Sequence, residues 1–132
     1  METSQHLIFK SDAFPVVRGE DEETNPGIFG KALVDWLAQA LAAHGRAIDR
    51  TVPEDFGRLI QVNEPSCSLY VAVSSTDDTA TEWRVFSFAE AGLLARLKGK
   101  GSERAAKVGD LFKDLEAILS ADHRIQDLRR EN

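Results

Sequence analysis

A chain of 132 residues fits one domain with a moderate core, and its 42% hydrophobic and 29% charged residues are those of an ordinary globular protein, which excludes disorder across most of its length. The net charge of −6 is lopsided: residues 1–66 hold eleven acidic and six basic groups, residues 67–132 eleven and ten. That balance disfavours nonspecific attraction to nucleic acid and to anionic lipid, and it favours a basic protein partner. Apolar runs are only a few residues long and METSQHLIFK lacks the blocks of a secretion signal, so a cytoplasmic location is expected. A lone cysteine, Cys67, cannot form an internal disulfide and reads as a buried thiol.

His6 to Lys10 (HLIFK) is a short β-type run with Leu7 and Phe9 on one face, and Pro15 and Gly19 break the chain after it. Then comes the most informative stretch, GEDEETNPGIFGKALVDWLAQALAAHG from Gly19 to Gly45: an acidic run, a helix-start signal and an amphipathic segment without a gap. Asn25 is read as an N-cap and Pro26 as the first helical residue, where no amide donor is needed. Ile28, Phe29, Ala32, Leu33, Trp36, Leu37, Ala40 and Leu41 recur at helical spacing, and Gly45 supplies the left-handed stop. The expected rod is roughly 30 Å long at 1.5 Å per residue. Gly27 and Gly30 are costly inside such a helix, so another backbone or a ligand is expected to approach closely there.

Ala47 to Phe56 reads as a connection punctuated by Pro53, and Arg58 to Asn63 as a strand. Ser68 to Ser74 is the clearest strand, because Leu69, Val71 and Val73 alternate with Tyr70 and Ala72, and it is expected to be central. Thr76 to Thr79 (TDDT) is a polar turn, and Glu82 to Phe88 completes a three-stranded antiparallel meander. Ala89 to Leu97 is a candidate short helix, and Lys98 to Gly101 a basic turn. Ala105, Val108, Leu111, Phe112, Leu115, Ile118 and Leu119 predict a second long helix over about Ser102 to Ser120, while Arg124 to Arg129 is an edge strand or a frayed helix. Two amphipathic helices and a small sheet bury their apolar faces together when both helices lie on one face. The expectation is therefore a single α+β domain over 1–132, a two-layer sandwich of a small antiparallel sheet, a meander of three strands plus edge strands, with two long helices on one face.

Glu20, Asp21, Glu22 and Glu23 precede the expected helix, where the dipole favours negative charge by about 0.3 to 1 kcal/mol each. One or two acids suffice for that effect, and mutual repulsion opposes four, so a cationic partner is the functional alternative to a solvated helix start. Glu54 and Asp55, in VPEDFG, form a second acidic pair on a turn. Together with Glu20 and Asp21, and beside Gly27 and Gly30, they form the carboxylate cluster of a rival reading, a small enzyme or ligand-binding domain doing acid–base work. No metal site is expected, since the Ca²⁺-loop pattern is missing and His6, His44 and His123 lack paired spacing. His44 suits a helix C-terminus. No nucleophile triad or phosphate loop is spelled out, so no catalytic residue and no cofactor is assigned. Trp36 and Trp83 read as packing residues, and Lys98, Lys100, Arg104 and Lys107 as a local basic face.

GEDEETNPGIFGKALVDWL followed by PEDFG resembles a group of small bacterial proteins that share an acidic run, an ETNPG helix start and a later ED-containing turn. The likeness is best over residues 14–57 and looser over Trp83 to Phe88, and it implies no mechanism or residue role. The leading expectation is a non-enzymatic, acidic protein-binding module of the immunity or inhibitor type. A further alternative is a homodimer through an exposed sheet face, with Tyr70 or Trp83 as candidate contacts.

Overall fold

The computed structural model describes residues 2–91 and 101–132. Among the described residues, seven strands form one antiparallel sheet: β1 (Glu2–Thr3), β2 (His6–Lys10), β3 (Ile48–Glu54), β4 (Gly57–Val62), β5 (Ser68–Ser75), β6 (Glu82–Glu90) and β7 (Gln126–Glu131). Their order is β3-β4-β5-β6-β2-β7, with β1 pairing β6 beyond the start of β2. Helices α1 (Lys31–Ala43) and α2 (Gly101–Ala121) pack on it, giving the α+β architecture expected from the apolar patterning.

Strand alternation decides which residues meet the helices. Val71 lies opposite Ile60 and Val73 opposite Val85, which faces Leu7 in turn. This row, with Phe9, Leu69 and Trp83, packs against Leu33, Leu37 and Leu41 of α1 and Val108, Leu111, Leu115 and Leu119 of α2 in one core. A leucine removed from water this completely contributes about 2 kcal/mol before the entropy of ordering is subtracted. Two buried polar side chains anchor the core through hydrogen bonds: Trp83 Nε1 donates to Ser11 O at 3.1 Å, and Ser87 Oγ to Val108 O at 3.0 Å. Trp83 is thus an interior residue, 1% exposed, which removes it from the candidate dimer contacts.

Three expectations need correction. The segment Asn25–Ile28 is a β-turn closed by Ile28 N donating to Asn25 O at 2.9 Å, with Pro26 and Gly27 in its two central positions. Gly27 has φ +82, the left-handed value a type II turn demands, so Pro-Gly acts as a turn and α1 starts five residues later, at Lys31. Next, the supposed connection around Pro53 is strand β3. It is an edge strand, where a proline without an amide proton is tolerated and polar residues predominate, so it lacks the alternation that marks its neighbours. Last, Ala89 and Glu90 belong to β6. The remainder of that expected helix, with Lys98 and Lys100, lies outside the described residues.

The C-terminus of α1 follows the expected chemistry: Arg46 N donates to Leu41 O and Gly45 N to Ala42 O, a Schellman arrangement with Gly45 at φ +99. Arg46 Nε then reaches Asp114 of α2 at 2.6 Å, and His44 Nε2 stands 3.5 Å from the same carboxylate. The tail resolves as edge strand β7, whose register against β2 slips between Ile8 and Lys10. Gly109, near the middle of α2, would place an added Cβ in open space. Gly109→Ala is accordingly expected to stabilise the protein by about 0.5 to 1 kcal/mol, read from urea unfolding.

The sheet face away from the helices carries an aromatic row. His6 stacks on Phe86 with centroids 4.2 Å apart, and Tyr70 on Phe88 at 5.1 Å. Arg84 donates to His6 Nδ1 at 2.6 Å, which requires that nitrogen to be unprotonated. Burial, helped by the Arg84 charge and opposed by Glu131, holds the imidazole below its ordinary value of 6.5. A base whose folded pKa is depressed loses stability as pH falls: its contribution is intact above 6.5 and disappears as pH drops through that value toward the folded one. Thermal melts from neutral pH to about pH 5 should show this decline, and His6→Gln should flatten it.

Candidate functional site

The acidic run folds as a short 3-10 turn, Glu20–Glu22, entered from Gly19. Its first residue turns inward. Glu20 is 3% exposed; its Oε1 accepts hydrogen bonds from Gly30 N at 2.8 Å and Lys31 N at 3.0 Å, and its Oε2 from Val17 N at 2.7 Å. Glu20 therefore caps α1 from ten residues upstream, satisfying the amides of Gly30 and Lys31, which have no acceptor within the helix. Asp21 Oδ2 accepts from Gly27 N at 3.0 Å, so it too serves the backbone.

The loop that carries these residues is fastened to the sheet at three places. Asn25 Nδ2 donates to Asp55 O at 2.9 Å, tying the loop to the β3–β4 turn. Phe29 and Ser75 exchange bonds, Phe29 N to Ser75 Oγ and Ser75 N to Phe29 O, both at 3.0 Å. Arg58, 5% exposed on β4, donates from Nη2 to Glu20 O at 3.1 Å and sits 3.4 Å from Glu23 Oε1. Its Nε is buried without a hydrogen-bond partner among the described residues. Close packing accompanies these bonds: an added Cβ at Gly27 would lie 3.3 Å from Asp78 Cβ, and one at Gly30 would lie 3.5 Å from Val73 Cγ1.

The outcome is an acidic end to the molecule. Arg58 lies opposite Val73 and Ser75 opposite Trp83, so the β3–β4 and β5–β6 turns emerge at the same end of adjacent strands. Glu22 and Glu23 from the loop, Glu54 and Asp55 from the first turn and Asp77 and Asp78 from the second are all exposed there. Thr79 donates to Asp77 Oδ1 from its hydroxyl at 2.6 Å and from its amide at 2.9 Å. These bonds, the hydroxyl's first, hold the Asp77 carboxyl below the ordinary aspartate value and keep it charged. Val17, 43% exposed, exchanges bonds with Glu20 at the edge of this end, whereas Phe56, 48% exposed, shares a pocket with Phe86 and Phe88 of the outer aromatic row.

Of the residues singled out from the sequence, Glu22, Glu23, Glu54 and Asp55 come together on this surface. Glu20 does not, because its carboxylate is enclosed by backbone amides, and Asp21 is half-buried against Gly27. Glu20 and Asp21 thus face structural partners while Glu54 and Asp55 stand on a hairpin tip, an arrangement unlike a converging acid–base pair. The larger clefts among the described residues lie elsewhere, one of about 320 Å³ between β1 and α2 and one beside Trp36 and Ile118. Among the described residues no group of three or more His, Cys, Asp or Glu is placed to hold a metal ion, and no helix is long and apolar enough to cross a membrane.

Asp77, Asp78 and Arg58 were not singled out from the sequence. The signal for the aspartates was available: in a meander, the turn before the first strand and the turn after the second share an end, which places TDDT beside PED. Arg58 carried no comparable mark, since its role depends on which way Glu20 faces. No family model, curated protein or solved structure matches the chain.

Proposed function

We propose that this protein is a non-enzymatic binding module, of the immunity or inhibitor type, that presents its acidic end to a basic protein partner. The observation that supports this reading is the gathering of six exposed carboxylates from three separate loops on one end, over a frame of buried Glu20 and Arg58. A frame held by hydrogen bonds keeps the charges in place before a partner arrives, which lowers the ordering cost of binding. A concentrated field of one sign steers encounter and sets the salt dependence of association.

The test separates surface charge from fold. In the variant Glu22→Gln, Glu54→Gln, Asp55→Asn, Asp78→Asn, the carboxylates that hold backbone or Arg58 are kept. Association with a partner captured from the native host by the wild-type chain should slow by about tenfold or more at low salt and lose much of its salt dependence, with little change in melting. An unchanged association rate and salt slope would sink the proposal.

A further inference from the structure

We infer that the groove between β1 and α2 takes an extended acidic peptide as an added strand. The pairing of β7 with β2 stops at His6 and Glu131, and Gln5 Nε2 donates to Asn132 Oδ1 at 2.9 Å just beyond it. Past that point β1 pairs with β6 on one side only, among the described residues. Ser4 N donates to Ser87 O, so antiparallel alternation turns the backbone groups of Thr3 away from β6, toward the groove. A sheet edge of this kind is completed by another strand's backbone.

The groove beside the edge holds about 320 Å³, with Val108 and Phe112 on its floor and Lys113 and Arg130 at its rim. Gly109 stands between them with nothing within 4 Å of an added Cβ, room that a strand laid along β1 would use. Charge selects the occupant. Glu2, at the opposite rim, is paired with Arg104 at 3.0 Å, whereas Lys113 is exposed and has no ion-pair partner among the described residues. Arg130 spreads over the Phe112 ring 5.3 Å from its centroid and, like Glu2, already has an ion-pair partner, Glu116, which leaves Lys113 as the uncompensated charge at the rim among the described residues. A segment that sets an apolar side chain over Gly109 and a carboxylate toward Lys113 satisfies edge, floor and rim together.

The test is an amide NMR titration of the full chain with the capped heptapeptide TETVTET, whose glutamates flank the central valine in either strand direction, against TKTVTKT. Saturable shifts are expected at Thr3, Ser4, Ala105, Gly109 and Lys113 with the glutamate peptide, and affinity about fivefold weaker for the lysine peptide. Gly109→Leu, which fills the groove from a helical position, should abolish the response without lowering the melting temperature, and Lys113→Glu should reverse the preference between peptides. The inference is overturned by an absence of saturable shifts in β1 and α2 at millimolar TETVTET, by equal responses to the two peptides, or by an undiminished response in Gly109→Leu. Self-association of the wild type that Gly109→Leu abolishes would assign the edge to a second copy and overturn it equally.

Discussion

Glu20→Ala is expected to destabilise the fold by about 3 kcal/mol, lowering the melting temperature by about 10 °C. The mutation strips the partner from three backbone amides at once, those of Val17, Gly30 and Lys31. Each amide left without an acceptor away from water costs about 1 to 3 kcal/mol, and loss of a helix cap alone costs about 1 kcal/mol. Water reaching the loosened loop recovers part of this, which is why the sum is placed near the lower bound. Glu20→Gln keeps one acceptor oxygen but turns an amide group toward a donor, so an intermediate loss of about 1 to 2 kcal/mol should follow. Exposed Glu22 is the control: Glu22→Ala should fall within about 0.5 kcal/mol of wild type. Urea unfolding of the three variants checks the order, and equal midpoints for Glu20→Ala and Glu22→Ala would refute the capping role.

The second large effect is expected at Gly57, where Gly57→Ala should cost about 3 kcal/mol or more. This residue opens β4 with φ +155, and an added Cβ would press into the carbonyl oxygen of Val73 and lie 2.8 Å from Ser74 Cβ. The obstacle is backbone in the central strand, so relief requires parting β4 from β5 where the β3–β4 hairpin joins the sheet. Arg58 follows directly and holds both Glu20 O and Glu23, so the acidic end should loosen with it. Amide exchange resolved by residue would show faster exchange at Asp55, Arg58 and Phe29 than in α2. Gly57→Ala unfolding at the wild-type denaturant concentration would refute the steric argument, and the opposite sign expected at Gly109 makes the two glycines a matched comparison.

Legibility in the sequence followed burial. Strands β4, β5 and β6 and helix α2 could be read because each presents a regular apolar face to the core, and periodicity records that face directly. Strand β3 was hidden because an edge strand with exposed Asp49, Arg50 and Thr51 has little to alternate, and Pro53 looks like a break. The start of α1 was misplaced because Asn-Pro suits both an N-cap and a turn. The deciding residue was Gly27, whose positive φ belongs only to the turn. Within the acidic run, four consecutive carboxylates look alike in sequence, and only the position of amides ten residues downstream determines that Glu20 is interior while Glu22 and Glu23 are outside. The gathering of the three acidic loops was half legible, since meander topology brought two turns together without revealing that Asn25 would join them.

The position of β2 between β6 and β7 carries a consequence for synthesis. Leu7 is matched on one side by Val85 and on the other by Arg130. A ribosome adding about 5 to 20 residues per second needs on the order of ten seconds between making Leu7 and supplying its last neighbour. Throughout that interval the apolar segment HLIFK lacks its native setting, while the hairpin of β4 and β5 can already zip. Nascent chains should therefore complete their sheet last at β2, and that strand is where a chaperone would find its longest-lived handle.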